Sequence, residues 1–185
     1  MNVFKDIESL LLERYSDWGG KEQFKGTSTR LKKMLEEMYW TSSQIDEEIN
    51  KALGASFEES YNQMLVEGPV SVWTLCPHHL LPCHLEVQIG YIPNGRVLGL
   101  SKFSRVAVAL GKRPTMQEQY SRELADTLWE KLSPDGLGVY VVGSHGCIVS
   151  RGVLQRDVRV STSTLKGSFL DDPGVREEFF SIARK

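Results

Sequence analysis

Apolar residues in the first third of the chain recur with the period of a helix. Val3, Ile7 and Leu11 share one helical face, which predicts an amphipathic helix at the N-terminus. A second helix is predicted after a Ser28 cap, and a third over residues 43–53. This part of the chain is therefore expected to be helical.

A period of two replaces the helical pattern after residue 66. Leu85, Val87 and Ile89 alternate with polar or small residues, which is typical of a strand with one buried face. Another strand is predicted just before it, over residues 70–74. These two segments are expected to be the first strands of the core.

The second half of the chain continues with two helices, two strands and a last helix. The helices are predicted to open at Ser101 and after Pro114, and the strands to cover 139–142 and 158–164. The last helix is predicted to start at Pro173. The core order is therefore strand, strand, helix, helix, strand, strand, with helices at both ends.

Composition narrows the class of protein. At 185 residues and 41% hydrophobic content, the chain is expected to form a single domain, 1–185, with a helical part over 1–56 and a core over 57–185. The net charge of −2 gives no general attraction to nucleic acid, and no apolar run approaches the length of a membrane span. With no signal-peptide pattern and a sparse, odd number of cysteines, a cytoplasmic location is predicted.

Two short motifs contain most of the metal-binding residue types. Residues 76–79 read Cys-Pro-His-His and residues 145–147 read His-Gly-Cys, and all three cysteines and four histidines lie between Cys76 and Cys147. A thiolate and an imidazole three residues apart, joined by a distant thiolate, form a three-ligand zinc set that leaves a fourth position for water. The alternative is that both thiols are simply buried in the core. Cys83 and His84 are expected to be a small buried residue and a surface imidazole.

Several motifs in order resemble the GTP cyclohydrolase I family. They are residues 76–82 (Cys-Pro-His-His-Leu-Leu-Pro), 91–93 (Tyr-Ile-Pro), 99–105 (Gly-Leu-Ser-Lys-Phe-Ser-Arg), 117–118 (Gln-Glu), 145–147, 151–153 (Arg-Gly-Val) and the segment 161–179. The resemblance covers roughly residue 57 to the C-terminus and, more weakly, residues 27–30. It implies the tunnelling fold, an α+β fold with an antiparallel four-stranded sheet in the order ββααββ, N-terminal helices and a C-terminal helix. It also implies a ring-shaped homo-oligomer, a decamer of two pentamers, with active sites at subunit interfaces.

The same resemblance assigns the metal and the acid–base residues. Cys76, His79 and Cys147 would hold Zn2+. His145 would protonate N7 of the purine, and His78 would assist ring opening. Histidine can both give and take a proton near neutral pH, although either histidine could instead orient a metal ligand.

Substrate contacts also follow from the resemblance. Glu118 would accept hydrogen bonds from guanine, with Gln117 as an auxiliary contact, and Ser101 would act in the later sugar rearrangement. The triphosphate candidates are the basic residues Lys102, Arg105, Arg151 and Arg30. Each has an alternative: residues 115–118 form a capping-box sequence, Ser101 could be a helix cap, and each cation could be a solvated surface residue.

The implied function is a zinc-dependent hydrolase that converts GTP to 7,8-dihydroneopterin triphosphate and formate. Water would attack guanine C8, the ring would open, and an Amadori rearrangement of the ribose would follow. The alternative is a non-catalytic or altered-specificity zinc- and purine-binding protein of the same fold, suggested by Pro77 where the family has glutamate. A nitrile reductase of this fold is a third hypothesis, which the His145 and Cys147 pair disfavours.

Overall fold

The computed structural model describes residues 2–54 and 56–184, which form two compact units. These units are Met1–Trp40 and Thr41–Lys185. The helical part predicted over 1–56 is therefore divided, because the helix over 42–53 belongs to the second unit. It buries Ile45, Ile49 and Ala52 there.

The elements follow the predicted order closely. The helices are α1 (Val3–Arg14), α2 (Thr27–Met38), α3 (Ser42–Leu53), α4 (Ser101–Gly111), α5 (Gln117–Leu132), α6 (Gly146–Val149), α7 (Ser168–Asp171) and α8 (Pro173–Ala183). The strands are β1 (Ser56–Glu58), β2 (Leu65–Leu75), β3 (Pro82–Ile92), β4 (Arg96–Leu98), β5 (Gly136–His145) and β6 (Val160–Gly167). Across the described ranges, every helix is too short or too polar to cross a membrane.

The first unit contains α1 and α2, which a carboxylate links. Glu8 accepts hydrogen bonds from the backbone N–H groups of Gly26 and Ser28, at 3.0 and 2.8 Å. Hydrogen bonds from Ser28, through its side chain and its backbone, and from Gly26 lower the pKa of Glu8 to about 2. The predicted Ser28 cap is wrong, since α2 begins at Thr27 after a left-handed Gly26.

The second unit is built on an antiparallel sheet with the strand order β2-β3-β5-β6. The predicted ββααββ order and α+β class are confirmed. A separate ladder of β1 and β4 was not predicted. Each of its strands has three residues, too few to show a period.

The two faces of this sheet are covered differently. On one face α4 packs on β2, and α5 packs on β5 and β6, so that Leu85, Val87 and Ile89 are buried as predicted. On the other face Phe169 and Phe179 are fully buried, with ring centroids 5.2 Å apart. The buried faces fix the register of the strands, because a shift by one residue would expose the apolar set.

We predict that Phe179→Ala destabilises the protein by about 3–5 kcal/mol, since it removes a buried ring and leaves a cavity. Chemical denaturation measures this change. The matched control is Phe57→Ala, because Phe57 is 64% exposed and its loss should change stability by less than about 0.5 kcal/mol. Equal effects of the two variants would contradict this description of the core.

Candidate metal centre and active site

The loop between β2 and β3 holds two of the predicted ligands on one turn. Leu80 N–H donates to Cys76 O at 2.8 Å, and Cys76 N–H donates to Leu81 O at 2.9 Å. This turn brings His79 Nδ1 within 3.6 Å of Cys76 Sγ. Pro77 fits here, because the bonds that close the loop are donated by other residues and its ring fixes φ within the turn.

The third ligand arrives from β5, which ends at His145 and continues into the short helix α6. Cys83 of β3 is paired with His145, so the end of β5 lies directly beside the β2–β3 loop. Gly146 makes the closest approach: an added Cβ there would lie 2.7 Å from Pro82 O. The glycine between His145 and Cys147 therefore lets the two motifs meet.

Cys76, His79 and Cys147 form a group that could hold a metal ion. One ligand atom from each residue lies within 4.8 Å of the others. Cys76 is buried, Cys147 is half-buried and His79 is exposed. Two sulfurs with one imidazole are a donor set that suits zinc. A thiol packed only as part of the core would be fully buried, whereas Cys147 is half-buried.

The electrostatics of the two thiols favour a cation between them. Burial raises the pKa of Cys147, and neighbouring Cys76 raises it further, while Arg151 acts in the opposite direction. Two thiolates placed this close repel each other unless a positive charge lies between them. A bound divalent ion supplies that charge and holds both groups deprotonated.

His145 lies beside this group and has protein partners at both ring nitrogens. Nδ1 is 3.4 Å from Cys83 Sγ, and Nε2 is 2.8 Å from Gln117 Oε1. Burial lowers the pKa of His145, and the nearby Glu118 carboxylate partly opposes that effect. The structure therefore brings His145 and Glu118 together near the metal group.

Cys83 and Gln117 have contacts that the sequence did not predict. Cys83 is only 1% exposed, as expected of a small buried residue, and burial raises its pKa to about 11, with Cys76 and Cys147 adding to the shift. Gln117 is 2% exposed, and its amide bonds within the protein. The alternating pattern of the strand could have indicated that Cys83 points inward. Its contact with His145 could not be found in this way, because it depends on the register between β3 and β5.

His78 and His84 occupy different surroundings. His78 is exposed, with Nδ1 3.9 Å from Cys76 Sγ, so it lies at the rim of the metal group. His84 lies on the other face of the sheet, where its ring is 4.7 Å from that of Trp73 and bonds to Ser71 Oγ. His84 is half-buried there, so the predicted surface imidazole is only partly exposed.

Glu118 does not belong to a capping box. The N-cap of α5 is Met116, and among the described residues no side chain caps this helix. Thr115 is instead bound to β2, because its N–H donates to Leu75 O at 3.2 Å. The capping interpretation is wrong, and Glu118 is left exposed in the first turn of α5.

Ser101 and Lys102 open α4 toward the end of the sheet away from the metal group, and Arg105 lies one turn further along that helix. Ser101 opens α4 with Leu100 at the N-cap position, so its predicted cap is wrong. Tyr91 lies near the end of β3, and its hydroxyl accepts a hydrogen bond from the backbone N–H of Leu98, just before α4. Eight residues of strand separate Cys83 from Tyr91, which corresponds to roughly 26 Å.

The cations predicted to bind phosphate are thus dispersed. Arg105 pairs with Glu48 at 3.2 Å. Arg151 follows α6 and is exposed, close enough to Cys147 to influence its pKa. Arg30 lies in the first unit, where it donates to Lys25 O at 2.9 Å. Only Arg151 is brought near the metal group within the second unit.

The model of the family described as GTP cyclohydrolase I matches residues 5–184. GTP cyclohydrolase 1 of Clostridium perfringens is 35% identical over 178 residues, 96% of this chain and 95% of that protein. The Dehalococcoides mccartyi enzyme of the same name is 36% identical over 185 residues, 99% and 96%. The human one is 38% identical over 140 residues, 76% and 55%.

Two solved structures are also similar, each with a TM-score of 0.46. One is the archaeosine synthase QueF-Like in the apo form, 20% identical, covering 60% of this chain and 97% of that one. The other is E. coli dihydroneopterin aldolase in complex with neopterin, 14% identical, covering 57% and 99%. Family membership rests on the sequence matches over nearly the whole length. The chain belongs to the GTP cyclohydrolase I family.

Proposed function

We propose that this protein binds zinc through Cys76, His79 and Cys147 and converts GTP to 7,8-dihydroneopterin triphosphate and formate. The observation that carries this proposal is the meeting of the three donor atoms within 4.8 Å, with His145 and Glu118 beside them. The relatives named GTP cyclohydrolase 1 support the choice of reaction.

Cys76, His79 and Cys147 would hold zinc, which would supply a Lewis acid able to activate water near neutral pH. Glu118 binds guanine, because its carboxylate accepts from the N1–H and the exocyclic amine together. Adenine offers no matching donor pair and is excluded. The substrate is thereby oriented with C8 toward the metal group.

His145 gives a proton to N7 as water adds to C8, and the C8–N9 bond then breaks. His78, at the exposed rim, serves the proton transfers of ring opening. A second hydrolysis releases C8 as formate. The ribose then undergoes the Amadori rearrangement, in which Ser101 takes part, and ring closure with loss of water gives the product.

The triphosphate requires several cations, and a second copy of the chain supplies some of them in this proposal. Arg151 is near the metal group of its own subunit. Ser101 and Lys102, in the first turn of α4, lie toward the Tyr91 end of β3, which is roughly 26 Å along the strand from Cys83. A homo-oligomer with its sites between subunits, to which Arg30 also contributes, reconciles these positions; a decamer of two pentamers is the assembly we expect.

The proposal predicts that the zinc-loaded protein turns over GTP and that His145→Ala abolishes turnover while zinc stays bound. Loss of a general acid lowers kcat by about 10²–10⁴-fold. The assay follows formate and the fluorescent pterin formed after oxidation, with zinc content measured on the same sample. His84→Ala is the control, because that imidazole lies on the other face of the sheet.

Failure of the fully zinc-loaded wild-type protein to form product would favour the alternative of a zinc- and purine-binding protein without turnover. Normal turnover by His145→Ala would refute only the acid role of His145 and would leave the rest of the proposal standing.

Glu118→Ala is predicted to weaken GTP binding by about 10–100-fold, since charge-assisted hydrogen bonds contribute about 1.5–3 kcal/mol. Helix content should change little, because Glu118 takes no part in a capping box. Calorimetric titration with GTP and circular dichroism measure the two effects. The control is Glu130→Ala, an exposed carboxylate near the other end of the same helix. A large loss of helicity with unchanged GTP affinity would contradict the guanine assignment.

A further inference from the structure

The amide of Gln117 has a single orientation that satisfies its surroundings. Its Nε2 donates to Val141 O at 3.1 Å, to Val160 O at 2.9 Å and lies 3.2 Å from Thr162 Oγ1. A flipped amide would direct its oxygen at two carbonyl oxygens, which cannot donate. Oε1 therefore faces His145, and as an oxygen acceptor it requires a donor there.

That donor is Nε2 of His145, 2.8 Å from Gln117 Oε1. In a neutral imidazole one nitrogen carries the proton and the other carries the lone pair. Protonation of Nε2 leaves the lone pair on Nδ1. Nδ1 faces Cys83 at 3.4 Å, on the side of Cys76 and Cys147.

A second observation, on a different element, supports this contact. Gly143 lies on β5 two residues before His145, and an added Cβ there would lie 2.1 Å from Gln117 Oε1. The same Cβ would lie 3.0 Å from His145 Nε2. The hydrogen-bonded atoms of Gln117 and His145 therefore occupy the space that a side chain at position 143 would need.

We propose that Gln117 is a positioning residue that fixes the orientation and the Nε2–H tautomer of His145, with Nδ1 directed at Cys83. The effect on turnover rests on the proposed function, whereas the tautomer does not. In this proposal Gln117 does not contact the guanine base, although the family resemblance had implied that it would.

The test uses the full-length, zinc-loaded protein labelled with 15N-histidine, with the His145 signals assigned by their absence from His145→Gln. Nitrogen NMR separates a protonated ring nitrogen from an unprotonated one. In the wild type, Nε2 should be protonated and Nδ1 unprotonated when the ring is neutral. Gln117→Met, which keeps the length of the side chain and removes the acceptor, should produce a tautomer mixture.

Gly143→Ala provides a second variant, which retains the amide but displaces it from His145, and it should produce the same mixture. Both variants should lower kcat for GTP by about 10–100-fold, the usual effect of losing such a supporting contact, with little change in KM. The controls are Gln119→Met, whose amide bonds only to Glu123 in the described residues, and Gly19→Ala, whose added methyl meets nothing within 4 Å.

Four results would overturn the proposal. One is an Nδ1–H tautomer in the wild type, and another is an unchanged tautomer in both variants. A rise in KM for Gln117→Met with kcat unchanged would restore the base-contact role. Cys83→Ala distinguishes the effect of Cys83 on the His145 ring from that of Gln117. A tautomer that depends on Cys83 and not on Gln117 would also contradict the assignment. Because the NMR result does not require turnover, failure of the GTP assay would leave this test intact.

Discussion

The pairing of β3 with β5 is the constraint on which the site depends. It places Cys83 opposite His145, and it brings the segment 145–147 against the loop that follows Cys76. Residues about 70 positions apart in the sequence thereby share one small volume. The register is held by apolar side chains such as Leu85 and Val141, which are fully buried beneath the helices. A shift by one residue would turn His145 to the other face of the sheet.

The surroundings of the metal group divide into a buried and an open side. Cys83 and Gln117 are nearly inaccessible and hold His145 from within the protein. His78, His79 and Glu118 are exposed and face the solvent side of the group. Such an arrangement holds the ring of His145 in one geometry and leaves the other side of the group open to solvent. The chemistry proposed here requires both conditions, because proton transfer is efficient only at hydrogen-bond distance.

Much of this could be predicted from sequence, and the remainder has physical reasons. The core elements follow from periodicity. The grouping of Cys76, His79 and Cys147 was expected from the two short motifs and the family resemblance, and the structure brings the three residues together. Local patterns failed where a tertiary contact decided the outcome. Thr115 resembles a cap but is bound to β2, and Ser28 resembles a cap but is bound by Glu8. The contacts of an amide such as that of Gln117 depend on two strands, β5 and β6, meeting one helix, which no local pattern contains.

X-ray absorption at the zinc edge of the purified wild-type protein tests the central claim most directly, since it counts the atoms bound to the metal. The account predicts one zinc per chain with two sulfur ligands at about 2.3 Å. It also predicts two nitrogen or oxygen ligands at about 2.0–2.1 Å, one from His79 and one from water. A shell of three or four sulfurs, a shell without sulfur, or a protein that retains no zinc would contradict it.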